Sequence, residues 1–396
     1  LSVPAETQRR FDLDWIRVIA FGLLILYHVG MFYVPWDWHV KSPRPVAWLE
    51  PVMMFTNPWR LTLLFLVSGA ATRFMADKMS AGALTRSRLA RLLPPLLLAI
   101  FVVVPPQSYY EIVEQLGYAG AFGDFYGRYA TASGGWCDAD GCLITPTWNH
   151  MWFVAYLLVY SLVLGALLAV GRGWIARLSA GLERALSGPW LLVWPAAFLI
   201  AIRLILAPRF EITHALVDDW YNHALSFSAF LFGFLIARSE RLRDGFVALR
   251  WPALVLALAS YGLYASYAWA WRDGGTPPEA LRILGRVAYG LDQWTFIAAA
   301  LGFGARWLNR GGPVLHYLTL GVFPFYIVHQ TVIVVAGHHL ARLGWPQGME
   351  AAALVAITFG ACFATYEVVR RMPVLGPLFG LRPEPKPVSG ASPRPA

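Results

Sequence analysis

Apolar stretches long enough to cross a lipid bilayer recur along this chain, and no water-soluble fold has a core that takes them all. The runs Leu63 to Gly69, Pro94 to Pro105, Met151 to Val170 and Pro252 to Trp271 are the plainest. Most of the stretches around them reach the ~20 residues that a helix needs to span a hydrocarbon core. Of the 396 residues, 14% are charged and 58% hydrophobic. An ordinary soluble domain carries about 25% charged residues. The expected fold is all-α, a polytopic integral membrane protein with about ten transmembrane helices.

The expected spans are 13–34, 52–75, 92–109, 151–170, 190–207, 222–238, 251–271, 288–307, 316–337 and 350–369. An even number puts both termini on one side, and the basic connectors assign that side to the cytoplasm. Lys78, Arg86, Arg88 and Arg91 lie in one such connector, Arg172, Arg177 and Arg184 in the next, and Arg238, Arg241, Arg243 and Arg250 in a third. Arg306 and Arg310 mark a fourth, and the acidic segment Glu111 to Asp140 falls on the other side. Topology thus accounts for the formal charge of +9. No basic stripe with stacking aromatics points to a nucleic-acid partner.

Three regions are expected: a cytoplasmic lead over 1–12, a membrane domain over 13–372, and a cytoplasmic tail over 373–396. Pro383, Pro385, Pro387, Pro393 and Pro395 make that tail a candidate for disorder. Phe11 to Val34 is too long for a cleavable signal and carries Asp14 and Arg17, so it is expected to remain as the first span. The sequence shows no internal repeat, which weighs against inverted-repeat transporter folds.

The longest connector, about 110–149, is rich in Gly and aromatic residues, and its length suits either a plain surface loop or the wall of an outer substrate site. Cys137 and Cys142 lie five positions apart within it, a disulfide candidate in an oxidising compartment. With no nearby His or second Cys pair, the spacing argues against a metal site. Cys362 falls inside the last span and reads as packing.

A charge within a span is costly unless paired or hydrated, so each one is a functional candidate. Arg17 and His28 are eleven positions apart on the first helix. That is about three turns and roughly 16 Å along one face. Asp14 is placed to pair with Arg17 at i, i+3. The purely structural alternative has Arg17 reaching to headgroups and His28 bonding a neighbouring helix. Arg88 and Arg91, with Arg86 beside them, suit capture of phosphates or simple anchoring at the cytoplasmic face. Ser68 and Gly69 permit close helix approach. His150 with Trp148 and Trp152, then Tyr326, His329 and Gln330, fall toward the outer ends of their spans. So do Arg60, Arg203 and Asp292, and a hydrated outer vestibule would accommodate them together. Glu367 is expected to pair with Arg370 and Arg371.

Four of these features, in this order on a ten-span chain, resemble the membrane acyltransferase 3 family. Arg17 and His28 match its R-x10-H motif within "LDWIRVIAFGLLILYH", Ser68 and Gly69 its Ser-Gly motif, and Arg88 and Arg91 its R-x-x-R pair. The ending "YLTLGVFPFYIVHQTVI" is most similar to the branch that succinylates periplasmic glucans. The resemblance covers about residues 10 to 372. It implies a protein of the bacterial inner membrane that moves a succinyl or acetyl group from cytoplasmic acyl-CoA to a hydroxyl of a periplasmic or surface glycan. Acyl-CoA would be a co-substrate, with no tightly bound cofactor and no metal. It implies catalytic roles for His28 and Arg17 and donor binding by Arg88 and Arg91. By position, Arg86 and Ser68 are expected to join the donor site, and Arg60, His150, Trp152, Tyr326, His329 and Gln330 are expected to form the acceptor vestibule. The competing reading is a transporter or flippase of a glycan or lipid-linked sugar, in which the buried charges line a path.

Overall fold

The computed structural model describes residues 9–138 and 141–381. Among them the chain is helical, with fourteen α-helices and no named strand. In order these are α1 (Phe11–Tyr33), α2 (Leu49–Thr56), α3 (Arg60–Ala76), α4 (Ala81–Leu98), α5 (Pro105–Leu116), α6 (Phe122–Ala130) and α7 (Trp152–Val170). Then follow α8 (Gly173–Ala185), α9 (Trp190–Ile205), α10 (Trp220–Ile236), α11 (Glu240–Ala270), α12 (Glu279–Trp307), α13 (Pro313–Leu340) and α14 (Gln347–Val369). Eight of the ten expected spans each overlap one long helix, while 52–75 runs over α2 and α3 and 92–109 over α4 and α5. Six stretches among the described residues are long and apolar enough to cross a membrane, and a seventh qualifies if α8 and α9, bent by 109° at their junction, count as one. The helices α3, α9 and α10, of 17, 16 and 17 residues, are shorter.

Small residues set the tightest helix contacts. A Cβ on Gly69 would lie 1.8 Å from the carbonyl oxygen of Phe230, and one on Gly233 would lie 1.9 Å from that of Leu66. The backbones of α3 and α10 therefore touch, the close approach expected of small residues in a span. Around this contact Phe65 packs on Phe153 at 4.4 Å between centroids, and Phe21 on Tyr326 at 5.3 Å. These rings join α1, α3, α7 and α13 into one core.

The span expected at 92–109 is instead a broken rod. Pro94 and Pro95 lie inside α4, Ala99–Val103 is wound as a π-helix, and Pro105 opens α5. Proline offers no N–H to a carbonyl one turn back, and the π turn redirects the Val104 amide to Ala99. The carbonyls of Ile100, Phe101 and Val103 are thereby left without their helical donors. The hydroxyls of Tyr129 (2.8 Å), Tyr126 (3.0 Å) and Thr331 (2.6 Å) bond them instead. Burial pushes the Tyr129 hydroxyl up to about 12, so it remains protonated at physiological pH.

Cys137 and Cys142 are joined in a disulfide within the loop that α6 begins. At the opposite, basic end the chain beyond α14 makes a turn at Gly376–Phe379 that packs on α4. The prolines expected to give a disordered tail, Pro383 onward, lie outside the described residues.

The glycine contact is testable by thermal unfolding in detergent. Gly69→Ala should lower the midpoint clearly, because its methyl group meets backbone rather than a movable side chain. Gly181→Ala, in α8 with nothing within 4 Å of the added carbon, should leave it unchanged or raise it, as alanine is favoured over glycine in helices by about 1 kcal/mol.

Candidate active site

The centre of the site is a pair of histidines from α1 and α13. His28 Nδ1 lies 2.7 Å from His329 Nε2, with the rings stacked at 10° and 5.0 Å between centroids. Direction is fixed by what lies behind. His329 Nδ1 is 2.7 Å from the carbonyl oxygen of Tyr326, which can only accept. The neutral His329 ring therefore carries its proton on Nδ1, and its Nε2 accepts. His28 must then donate from Nδ1, which leaves its Nε2 as the bare lone-pair nitrogen. His28 is half-buried, with Trp38 stacked on its other face at 6.4 Å.

A third histidine closes the group from α7's approach. His150 Nε2 donates to the carbonyl of Ile327 at 3.0 Å, and Nδ1 accepts from Gln107 at 3.3 Å. Its ring meets that of His329 edge-on at 5.1 Å. The Tyr326 hydroxyl donates to the His150 carbonyl, which ties the 3-10 turn Asn149–Met151 to α13.

Gln107, fully buried on α5, is the hub of the surrounding network. Its Oε1 accepts from Asn149 at 3.1 Å and Gln330 at 3.0 Å, and its Nε2 donates to Thr331 at 2.7 Å. Gln330 also donates to His39 Nε2 at 3.0 Å, and His39 Nδ1 donates to Glu111 at 2.8 Å. Sequence reading singled out none of Trp38, His39, Gln107, Glu111, Asn149 and Thr331 as site residues. One signal was available: in "PPQSYYEIVEQL", Gln107 and Glu111 share a helical face behind a proline pair.

The remaining predicted residues are distributed as follows. Arg60 is buried beside the histidines, its guanidinium 3.9 Å above the Tyr27 ring and bonded to Thr56 at 2.9 Å. Trp152 faces away, stacked on His214 at 4.1 Å. Arg203 lies 3.3 Å over Tyr289 and donates to the Tyr221 hydroxyl at 2.8 Å. Asp292 is buried with neither oxygen hydrogen-bonded among the described residues. At the basic end Arg17 pairs with Asp14 at 3.4 Å. Arg86 is exposed and Arg91 half-buried, while Arg88 is buried and donates to the Thr72 hydroxyl between α4 and α3. The Ser68 carbonyl accepts from the same Thr72 hydroxyl at 2.7 Å. Glu367 pairs with both Arg370 and Arg371 at 2.7 Å. No group of three or more His, Cys, Asp or Glu side chains among the described residues is arranged to hold a metal ion.

The site presents a histidine with a directed lone pair, and a family model described as an acyltransferase domain matches residues 10–367. The chain belongs to that family, the membrane acyltransferase 3 family. Among curated proteins it is similar to the glucans biosynthesis protein C of Escherichia coli O6:K15:H31, 26% identical over 156 residues, or 39% of this chain and 38% of that protein. The protein of the same name from Escherichia coli O1:K1 is 26% identical over 157 residues. The matched stretch thus spans less than two fifths of those relatives. No solved structure matches.

The hub role of Gln107 predicts that Gln107→Leu strands several buried polar groups at once. Each costs about 1–3 kcal/mol, so thermal unfolding should show a loss of at least ~2 kcal/mol. Gln115→Leu, which removes one exposed bond to the Trp38 carbonyl, should be near neutral.

Proposed function

We propose that this protein is an acyl-CoA-dependent O-acyltransferase of the bacterial cytoplasmic membrane that esterifies a hydroxyl of a periplasmic or surface glycan. Ten spans with both termini in the cytoplasm place Arg17 at the donor side and His28 toward the acceptor side. The observation that carries the reading is the bare Nε2 of His28, held in that state by the His28–His329–Tyr326 chain. The name of the curated relatives supports a glucan as acceptor, and the cargo in this reading is a succinyl or acetyl group. Family membership favours chemistry over passive transport of a glycan or lipid-linked sugar.

In this mechanism the acceptor oxygen attacks the thioester carbonyl while His28 Nε2 takes the hydroxyl proton. The tetrahedral adduct then collapses, the carbon–sulfur bond breaks, and the proton passes from His28 to the departing thiolate. His329 is a positioning residue: it fixes the His28 tautomer and ring plane. Phe21 and Leu24 lie on the Arg17–His28 face of α1 and pack into the core between the two.

In nanodiscs with labelled acyl-CoA and a periplasmic glucan, His28→Ala should cut turnover at least about a hundredfold, within the span of general-base contributions, while CoA binding persists. His329→Gln, which keeps an acceptor near the position of Nε2, should retain more activity than His329→Ala. Substantial turnover by His28→Ala rejects the general-base role. Topology is checked separately by reporter fusions, cytoplasmic after Gly188 and Pro313 and external after Gly134; two inverted readings sink the ten-span arrangement.

A further inference from the structure

A cavity of about 300 Å³ that the mechanism above does not use lies between α3, α9, α10 and α12, bounded at the basic end by Leu182 of α8 and by Leu186. Its origin is a missing donor. Pro195, inside α9, offers no N–H to the Leu191 carbonyl one turn back. The indole of Trp294 on α12 donates to that carbonyl instead, at 2.9 Å. α9 is thereby held against α12 and packs less closely on α10. The space left between them is walled by apolar side chains, Leu66, Leu199, Phe232 and Ile297 among them. Three of its four polar side chains are already engaged: Trp294 with Leu191, Thr62 as acceptor from Gln293 at 2.8 Å, and Ser228 as donor to the Leu225 carbonyl at 2.9 Å. The fourth, Trp194, stands with Phe198 at the rim, each about half exposed on the apolar outer face of α9.

A space of this kind is not suited to water. A buried water needs two to four polar partners, whereas an apolar cavity of about 150 Å³ stays dry and takes up hydrocarbon. At the basic end the 109° bend between α8 and α9 turns α8 out of line with the bundle. Trp174, Ile175, Leu178 and Leu182 recur at helical spacing on one face of α8, the pattern of a helix lying in a membrane interface. Its Ser179 hydroxyl donates to the Leu235 carbonyl of α10 at 2.8 Å, which fixes it beside the cavity. Arg172, just before α8, is engaged with the carbonyls of Ala76 and Met79. Arg177 and Arg184 are exposed and in no ion pair among the described residues; Arg184 bonds only the Ala180 carbonyl of its own helix. Glu183 is the one acid on α8, so the helix keeps a positive excess. We propose that the cavity holds an acyl chain of an anionic phospholipid from the leaflet at the basic end, with its phosphate against Arg177 and Arg184. This occupancy requires only that the helices span a bilayer and is independent of the acyl-transfer reading. A zwitterionic lipid supplies the chain but not the net charge that complements α8.

The test places the full chain in phosphatidylcholine nanodiscs containing phosphatidylglycerol with a photoreactive diazirine at the end of its acyl chain. Crosslinks should map to Leu199, Ala229 and Ile297, buried residues of the cavity wall. Unlabelled phosphatidylglycerol should compete, and unlabelled phosphatidylcholine should not. Replacing both exposed arginines, Arg177→Glu with Arg184→Glu, should reduce this labelling about tenfold, and added salt should reduce it in the wild type. Arg310→Glu, exposed at the same end beyond α12, should label as the wild type does. Ala229→Phe, which fills the cavity, should abolish crosslinks at Leu199 and Ile297. In detergent, added phosphatidylglycerol should raise the unfolding midpoint of the wild type but not of this variant. If Ala229→Phe does not fold, the arginine variant decides alone. Crosslinks confined to exposed residues such as Trp190 and Val193 overturn the site, because lipid merely surrounding the protein gives them. Equal competition by phosphatidylcholine, or wild-type labelling of the arginine variant, overturns it as well.

Discussion

The hydrogen bond from His28 to His329 ties the first long helix to the thirteenth, and most of the polar interior is arranged around keeping it directional. An imidazole accepts or donates at either nitrogen, so two histidines in contact have no fixed polarity by themselves. The Tyr326 carbonyl supplies it. From there the arrangement extends through Ile327, His150 and Gln107 to Gln330, His39 and Glu111, each group with a partner that leaves its orientation little freedom. In a low-dielectric interior, satisfied networks of this kind are rigid, and a single missing partner is expensive.

A second group of buried charges is solvated differently. Arg60 and Arg203 lie over the rings of Tyr27 and Tyr289 rather than against carboxylates. An aromatic face attracts a guanidinium without demanding a second buried charge. Tyr27 precedes His28 on α1, so this aromatic solvation holds a cation beside the histidine pair without a buried carboxylate. Division of labour along α1 follows: ion-paired arginines at one end, ring-bound arginine and histidine at the other.

Much of the fold was legible because hydrophobicity in a membrane chain is nearly a map of its helices; Met151 to Val170, for instance, is apolar throughout and forms α7. The break in the third expected span was not read, since Pro94, Pro95 and Pro105 were taken as parts of one apolar run rather than as lost donors. The pairing of Arg17 with Asp14 followed from helical spacing alone. His28 and His329 stood out as ionisable groups at similar depth, but that they touch is a fact of helix packing, which spacing in sequence does not encode. Gln107 was passed over because a neutral amide carries no charge penalty to draw attention, and Glu111 because it sits just beyond where a span was expected to end.

The broken rod from α4 to α5 has an effect on the outer loop. Three backbone carbonyls, freed because proline and the π turn deprive them of amide partners, hold α6 through Tyr126 and Tyr129 and reach α13 through Thr331. What α6 reads through these bonds is thus main chain, which every amino acid supplies alike. The outer loop can therefore exchange its other side chains, so long as two phenols and the prolines that expose their acceptors persist.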